Sequence, residues 1–187
     1  MAEFWFIRHF RTPWNAEGRL QGRRDIALDD PLCSNDHTAL VNNLSALEGM
    51  VFAEIWTSPL QRTRQTAALH GYPTTVAKDA LLELDFGPWE GRTWTELHAA
   101  HPGLWSAAPD DLPLGESFVD FERRVTATLH NVWNRSGAPV LVFGHGAWAN
   151  CAQAVAAGTS AARMNEWKTP NGALIRIRAK IPRKVHG

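Results

Sequence analysis

Short apolar runs alternate along the chain with segments in which apolar residues recur at the spacing of a helix. Each apolar run that stops abruptly at polar residues predicts a buried strand. Five strands are predicted: Phe4–Arg8, Ala53–Thr57, a short one near Thr75–Lys78, Val140–Gly144 and Ala173–Arg178. Strands that alternate with helices indicate a mostly parallel sheet with helices on both of its faces. The pattern therefore predicts an α/β protein.

Start and stop signals place helices between the predicted strands. Ser34 is a predicted N-cap, and Gly49 is expected to end the helix that Ser34 opens. The segment Ser58–Gln61 predicts another helix start, because it combines an N-cap serine, a proline and a capping-box glutamine. Ser117 opens a long amphipathic helix, and a further helix should follow His145 to about residue 157.

Length and composition indicate one globular domain over residues 1–187, in which residues 180–187 form a tail with little core signal. Lysine plus arginine equal aspartate plus glutamate, so the net charge is zero. This balance argues against a nucleic-acid or membrane-surface partner, which would favour a basic excess. We therefore expect a small-molecule partner for a monomer or homodimer.

The expected location is the cytoplasm. No apolar stretch approaches the roughly 20 residues that a membrane span needs. The first residues lack the basic flank of a signal peptide. Cys33 and Cys151 are the only cysteines, and two cysteines do not make the disulfide framework of a small secreted domain.

Cationic side chains follow three of the predicted strands. Arg8 and His9 end the first strand, His145 follows another, and Arg62 lies just inside the helix that comes after a third. Ligands bind at the carboxyl ends of strands in open α/β sheets, so these groups should meet at one edge. Four such groups would repel one another without a bound anion. A phosphoryl dianion is suitable, because its oxygens can accept hydrogen bonds from guanidinium groups and from the amides at a helix start. His9 would then attack phosphorus in line with the leaving oxygen.

A phosphoryl transfer of this kind also needs a proton for the leaving alkoxide. Three carboxylates follow one another in the segment after residue 82: Glu83, Asp85 and Glu90. A carboxyl group beside bound phosphate has its protonated form favoured, which suits a general acid. The spacing alone does not choose among the three. His98 and His101 share a helical spacing, but without a zinc-type carboxylate pattern they favour a solvated helix face over a metal site.

Motifs spread over most of the chain resemble those of the histidine phosphatase superfamily, in its phosphoglycerate mutase-like branch. They occur in the order of the family, and together they are far more specific than any one of them. The matching residues are Arg8, His9, Thr12, Trp14, Asn15, Gly18, Arg19, Gln21, Gly22, Asp25, Ser58, Pro59, Leu60, Arg62, Thr63, Thr66, Glu83, Phe86, Gly87, Trp89, Glu90, Gly91, Gly115–Ser117 and Gly144–Gly146.

The resemblance implies a three-layer α/β/α sandwich and a role for each site residue. His9 would be the phosphorylated nucleophile, and Glu83 would be the proton donor that later activates water. The catalytic set implied in this way is Arg8, His9, Arg62, Glu83 and His145. The implied phosphate-binding set is Arg8, Asn15, Arg62, His145 and Gly146. Members of the family need no metal, and we expect no cofactor.

Within the family, the segment Asp85–Gly91 is similar to that of the α-ribazole phosphatases and the broad-specificity small phosphatases. The resemblance implies hydrolysis of a small phosphorylated metabolite through phosphohistidine, with α-ribazole 5′-phosphate as one candidate. One alternative is a phosphoglycerate-type mutase. A second is a catalytically weak module that binds a phosphate ligand. Phe10 is the only support for that module, because the family usually has glycine after the nucleophile.

Several residues near the predicted site have open roles. Phe10 either adopts an ordinary backbone conformation or reshapes the pocket wall. Arg11 is expected to add a cation near the pocket mouth. Trp148 either lines the pocket or packs within its helix. Substrate specificity is expected from loops such as Arg19–Pro31 and Ala107–Gly115.

Overall fold

A single mixed sheet organises the computed structural model, which describes residues 3–178. Its strands are β1 (Phe4–Arg8), β2 (Glu54–Thr57), β3 (Val76–Ala77), β4 (Val140–Gly144) and β5 (Leu174–Ile177). Their order across the sheet is β3-β2-β4-β1-β5, with β5 antiparallel to β1 and the other pairs parallel. The predicted strands are confirmed. The expected tail at residues 180–187 lies outside the described residues.

Helices cover both faces of this sheet. They are α1 (Pro13–Ala16), α2 (Ser34–Leu47), α3 (Gln61–Leu69), α4 (Trp94–Ala100), α5 (Leu104–Ala107), α6 (Phe118–Trp133) and α7 (Gly146–Ala156). Residues of α2 and α3 share one apolar cluster with the sheet, and residues of α6 and α7 share the other. The predicted three-layer α/β/α sandwich is therefore confirmed. Within residues 3–178, we find no helix with the length and apolar character needed to cross a bilayer.

The apolar run of β1 supplies both clusters at once. Phe4 and Phe6 belong to the cluster beneath α6 and α7, whereas Trp5 and Ile7 belong to the cluster beneath α2 and α3. Successive side chains of a strand point to opposite faces, so a strand covered on both sides must be apolar throughout. For this reason apolar and polar residues do not alternate along β1.

The start of α6 agrees with its predicted signal, but the start of α3 does not. The hydroxyl of Ser117 accepts a hydrogen bond from the Asp120 amide, as an N-cap should. Ser58 was predicted to cap α3, yet that helix begins at Gln61. The amide of Ser58 still donates to the carbonyl of Phe143 and so extends the sheet ladder. The carboxylate of Asp25 accepts from the Gln61 amide at 2.7 Å and takes over the capping task.

Trp148 is a core residue rather than part of a pocket wall. Its ring is fully buried and stacks on Phe6 and Phe4, with centroids 5.4 Å and 5.7 Å apart. Its indole nitrogen donates to the carbonyl of Ala80 at 2.9 Å. Ordinary helix packing therefore accounts for this tryptophan, and the packing fixes the first turn of α7 against the sheet.

Candidate active site

His9 follows β1 and is almost completely buried. Its amide donates to the carbonyl of Gly144, which ties the residue to the end of β4. The ring atom Nδ1 lies 2.6 Å from the carbonyl oxygen of Phe10 and donates to it, so Nε2 carries the lone pair. Burial, together with the charges of Arg62 and Arg8, holds the pKa of His9 well below its usual range. The ring is therefore neutral at physiological pH, with the lone pair on Nε2.

Arg8, the last residue of β1, has its guanidinium beside the first residue of α7. Nη1 donates to the carbonyl of Thr169 at 2.6 Å, which fixes one arm of the group. A Cβ atom on Gly146 would lie 2.9 Å from Cζ of Arg8, closer than ordinary packing allows. Glycine at this position therefore lets the helix start approach the guanidinium.

Arg62 is the second residue of α3 and is almost completely buried. Nη1 and Nη2 donate to the carbonyls of Arg24 and Gly22, at 2.6 Å and 2.8 Å. Burial lowers the pKa of Arg62 to about 10, so the group remains charged at neutral pH. The loop at residues 22–24 thus holds this second cation in place.

His145 lies between β4 and α7, where its extended backbone forms the N-cap of the helix. Its ring centroid is 5.4 Å from that of His9, and the ring is fully buried. Burial, followed by the charges of Arg62, His9 and Arg8, holds the pKa of His145 well below its usual range. The structure therefore brings both histidines to one edge of the sheet.

Four buried nitrogen atoms of this cluster lack a hydrogen-bond partner among the described residues. They are Nε of Arg8, Nε of Arg62, and both ring nitrogens of His145. Buried polar groups in folded proteins are nearly always paired, because an unpaired one costs about 1–3 kcal/mol. Phosphoryl oxygens are acceptors with the matching charge. The cluster therefore has the chemistry of a phosphoryl-binding site.

Glu83 is the carboxylate that the chain brings to this cluster. Its two oxygens accept hydrogen bonds from the amides of Leu84, Ala147 and Trp148, each at 3.0 Å. The first turn of α7 therefore orients the group, and Glu83 lines the same cavity as His9.

The other two candidate carboxylates face a different set of partners. Asp85 accepts from the Gly87 amide and pairs with Arg23. Glu90 accepts from the Arg23 amide and pairs with Arg24. Neither lines the cavity. Of the three, Glu83 alone lines the cavity that His9 also lines.

Asn15 also lines the cavity, and it is held by neighbours on two sides. Its Oδ1 accepts from the Thr12 amide at 3.2 Å in a capping box at the start of α1. Nδ2 of Asn171 donates to the same oxygen at 3.3 Å and to the carbonyl of His9 at 3.0 Å. The amide of Asn15 is thus oriented together with the nucleophile.

Sequence reasoning missed the segment Thr169–Gly172, which holds Arg8 and His9 through hydrogen bonds. Besides the contacts of Thr169 and Asn171, the Gly172 amide donates to the carbonyl of Arg8 at 3.1 Å. The Pro-Asn-Gly turn before the predicted last strand was a visible signal. Its meaning depends on β5 lying next to β1, which the order of elements along the chain does not reveal.

A cavity of about 440 Å³ is lined by Arg8, His9, Asn15, Arg62, Glu83 and Gly146, whereas His145 is fully buried and does not line it. The upper wall of the cavity is apolar on one side, where Leu20, Phe86, Trp94, Trp105 and Met164 lie. Polar groups complete the wall: Arg19, Gln21, Asn150, Asn165 and Lys168. The expectation that loop Ala107–Gly115 shapes the pocket is wrong, since the nearby helices α4 and α5 supply the wall instead. Of loop Arg19–Pro31, only residues 19–22 line it.

Phe10 and Arg11 lie outside this cavity. Phe10 is fully buried and stacks on His70, with centroids 5.4 Å apart and an interplanar angle of 15°. It has an ordinary backbone conformation, because only glycines have positive φ within the described residues. Arg11 pairs with Asp29 at 2.7 Å rather than adding a cation at the pocket mouth. The weak-binder alternative therefore loses its support at Phe10.

In the part of the chain that the structure describes, we find no group of three or more histidine, cysteine, aspartate or glutamate side chains placed to hold a metal ion. His101 instead packs edge-on against Trp89, with centroids 5.3 Å apart. His98 lies beside Trp94 on an exposed face of α4.

Two histidines and two arginines meet at the carboxyl edge of the parallel strands. This arrangement defines a class of α/β proteins with a paired-histidine centre. A model of the histidine phosphatase superfamily (branch 1) matches residues 4–184. The chain belongs to this family, and the resemblance drawn from its motifs is confirmed.

Relatives of the chain carry different names within the family. A probable phosphoglycerate mutase GpmB of Klebsiella pneumoniae is 28% identical over 186 residues, which is 95% of this chain and 85% of the relative. A glucosyl-3-phosphoglycerate phosphatase of Mycolicibacterium vanbaalenii is 31% identical over 156 residues, or 75% and 67% of the two chains.

The fold is also that of solved structures. A mycobacterial glucosyl-3-phosphoglycerate phosphatase solved with VO3 superposes with a TM-score of 0.78 at 23% identity, over 94% of this chain and 92% of that one. A likeness at this identity establishes the shared fold.

Proposed function

We propose that the chain hydrolyses phosphomonoesters through a phosphohistidine intermediate on His9. One observation carries this proposal: four unpaired buried nitrogens of Arg8, Arg62 and His145 surround a histidine whose Nε2 carries a lone pair. Membership of the family and the phosphatase names among the relatives support the same reaction class.

In the first half-reaction, the guanidinium groups of Arg8 and Arg62 neutralise the phosphoryl oxygens. Nε2 of His9 forms a bond to phosphorus as the bond to the leaving oxygen breaks. The carboxyl of Glu83 gives its proton to that oxygen, and the alcohol departs. Bound phosphate disfavours a second negative charge beside it, so substrate binding favours the protonated carboxyl. The hydrogen bond from Nδ1 to the Phe10 carbonyl stabilises the charge that develops on the ring.

In the second half-reaction, water attacks the phosphorus of phosphohistidine. The carboxylate of Glu83 takes a proton from this water, the bond between nitrogen and phosphorus breaks, and inorganic phosphate leaves. His9 is neutral again, and Glu83 holds the proton for the next substrate. Because the two guanidinium groups carry out the charge neutralisation, we propose a reaction without a metal or cofactor.

A phosphoglycerate-type mutase is the second candidate, and the name of the relative with 95% coverage favours it. A mutase keeps the phosphohistidine long enough to transfer the group back to a reoriented substrate. Incubation with monophosphoglycerate and a bisphosphorylated primer separates the candidates. Release of inorganic phosphate without isomerisation supports hydrolysis, and isomerisation without release supports the mutase.

We propose a small phosphorylated metabolite as the substrate, with α-ribazole 5′-phosphate as one candidate. A panel of sugar phosphates, nucleotides and α-ribazole 5′-phosphate, with phosphate release as the readout, ranks the candidates. We further propose a cytoplasmic monomer or homodimer without a nucleic-acid or membrane partner.

The proposed intermediate is tested by substituting the nucleophile. We expect His9→Ala to abolish hydrolysis of 4-nitrophenyl phosphate and to abolish the acid-labile phosphoenzyme trapped by rapid quench. His37→Ala is the matched control, because His37 is exposed on α2 and lies outside the cavity. Unchanged turnover in the His9 variant would contradict the proposal.

A further inference from the structure

The cavity above the phosphoryl site has an aromatic wall formed by Phe86, Trp94 and Trp105. The rings of Trp94 and Trp105 have centroids 5.0 Å apart and meet at 60°. The ring of Phe86 lies 5.8 Å from each of them. Trp94 meets the other two rings edge-on and Phe86 is tilted against Trp105, so the three rings brace one another before substrate arrives.

Neighbouring elements hold this wall from outside. The ring of Trp105 packs against Phe118 at the start of α6, with centroids 6.3 Å apart. The side-chain amide of Asn165 donates to the carbonyl of Trp105 and links α5 to the segment that carries Met164. Trp94 and Trp105 are only partly buried, although Phe86 beside them is almost completely so. The two indoles therefore present apolar surface that the protein itself does not cover.

Lys168 supplies an uncommitted positive charge to the same cavity. It is exposed, and no acidic side chain within residues 3–178 pairs with it. Arg19, the other cation of the upper wall, already pairs with Glu17 and donates to the carbonyl of Gly91. Glu83 is the one acidic residue lining the cavity, and the start of α7 holds it.

On the basis of the proposed phosphatase reaction, we infer that the preferred substrates carry a planar apolar ring and a second anionic group in their alcohol part. The ring lies against Trp94 and Trp105, and the second anion pairs with the ammonium group of Lys168. A cavity of about 440 Å³ has room for such an alcohol above the phosphoryl group. Small polyol and sugar phosphates leave the indoles uncovered and bind less well.

The test uses three primary alkyl phosphates, whose leaving alkoxides have similar chemistry. They are propyl phosphate, 3-phenylpropyl phosphate and 3-(4-carboxyphenyl)propyl phosphate. We expect kcat/KM to rise about tenfold from the first to the second, since ring burial and stacking add binding energy. A further rise of about threefold should follow for the third, through one solvent-exposed ion pair. Both gains should lie mainly in KM.

Substitutions assign each gain to its residue. Trp105→Leu should remove most of the preference for 3-phenylpropyl over propyl phosphate, and Trp105→Phe should restore much of it. Lys168→Gln should remove only the preference for the carboxylated compound. The matched controls are Trp89→Leu, a partly buried indole outside the cavity, and Lys78→Gln, a lysine that lies over Trp56 instead. Thermal unfolding of each variant checks that it is folded.

Equal kcat/KM for the three compounds in the wild-type protein would overturn the inference while leaving the phosphatase reaction intact. A preference that survives in Trp105→Leu, or that falls equally in Trp89→Leu, would overturn the assignment to the aromatic wall. Failure of the wild-type protein to hydrolyse any of the three, without a phosphoenzyme, would overturn the proposed reaction and the inference with it.

Discussion

Glu83 shows how a single side chain is selected from a group of similar ones. Three backbone amides orient its carboxylate, whereas Asp85 and Glu90 are committed to Arg23 and Arg24. Spacing along the chain could not make this choice, because it depends on how the loop after β1 crosses the segment 83–90. The family motif did assign the role to Glu83.

Replacing the carboxyl of Glu83 by an amide tests its part in proton transfer. We expect Glu83→Gln to keep the contacts with the Leu84 and Trp148 amides through its remaining oxygen but to lower kcat/KM for alkyl phosphates by about 10²–10⁴-fold. The loss should be smaller for 4-nitrophenyl phosphate, whose leaving group needs no proton, and phosphoenzyme should accumulate. Glu90→Gln is the control, with a loss below about tenfold. Equal losses for alkyl and aryl substrates would contradict the role.

At the scale of elements, the first turn of α7 does three tasks at once. His145 is the N-cap of the helix, and the amides of Ala147 and Trp148 donate to Glu83. Gly146 has no side chain and so leaves space for the Arg8 guanidinium. The stacking of Trp148 on β1 keeps this turn in register with the nucleophile.

Gly146→Ala separates the role of this turn in catalysis from its role in folding. The backbone of Gly146 has no positive φ, and alanine favours helix, so the free energy of unfolding should change by less than about 1 kcal/mol. The new Cβ meets the Arg8 guanidinium, so kcat/KM should fall by about 10–100-fold. Chemical denaturation and steady-state kinetics measure the two effects. A variant of full activity would show that the close approach is unimportant.

Sequence patterns predicted the strands better than the helix starts and the walls of the site. β1 and β4 were located to the residue, because an apolar run between polar residues has few alternatives. The start of α3 was misplaced, because the carboxylate of Asp25, distant along the chain, accepts from the Gln61 amide in place of the predicted Ser58 cap. The aromatic wall was missed because its rings come from three separate segments, Phe86, Trp94 of α4 and Trp105 of α5, which meet only in the folded chain.

At the scale of the whole molecule, three buried histidines couple folding to pH. Burial is the main cause that lowers the pKa of His9, His70 and His145. The unfolded chain therefore binds protons below about pH 6.5 that the folded chain does not bind. Stability is complete above that pH and is lost as the pH falls toward the folded-state pKa values.

We expect the free energy of unfolding, measured in urea, to fall by at least about 1 kcal/mol between pH 7.5 and pH 5.5. Glu90, whose pKa burial raises, acts in the opposite sense. Inorganic phosphate should reduce the loss, because a bound anion favours protonated His9 and His145. Equal stability at the two pH values would contradict neutral buried histidines.

The position of β1 has a consequence for the chain while it is being synthesised. β1 is synthesised before the other strands of this sheet, yet its two partners are β4 and β5, from residues 140–144 and 174–177. Until those residues emerge, Phe4 to Ile7 lack a sheet to join, and the Arg8 guanidinium lacks its Thr169 acceptor. The nascent chain must therefore carry an exposed apolar segment through most of translation, in the reach of chaperones. The arrangement of Arg8, His9 and Thr169 can therefore form only after the segment up to β5 has been synthesised.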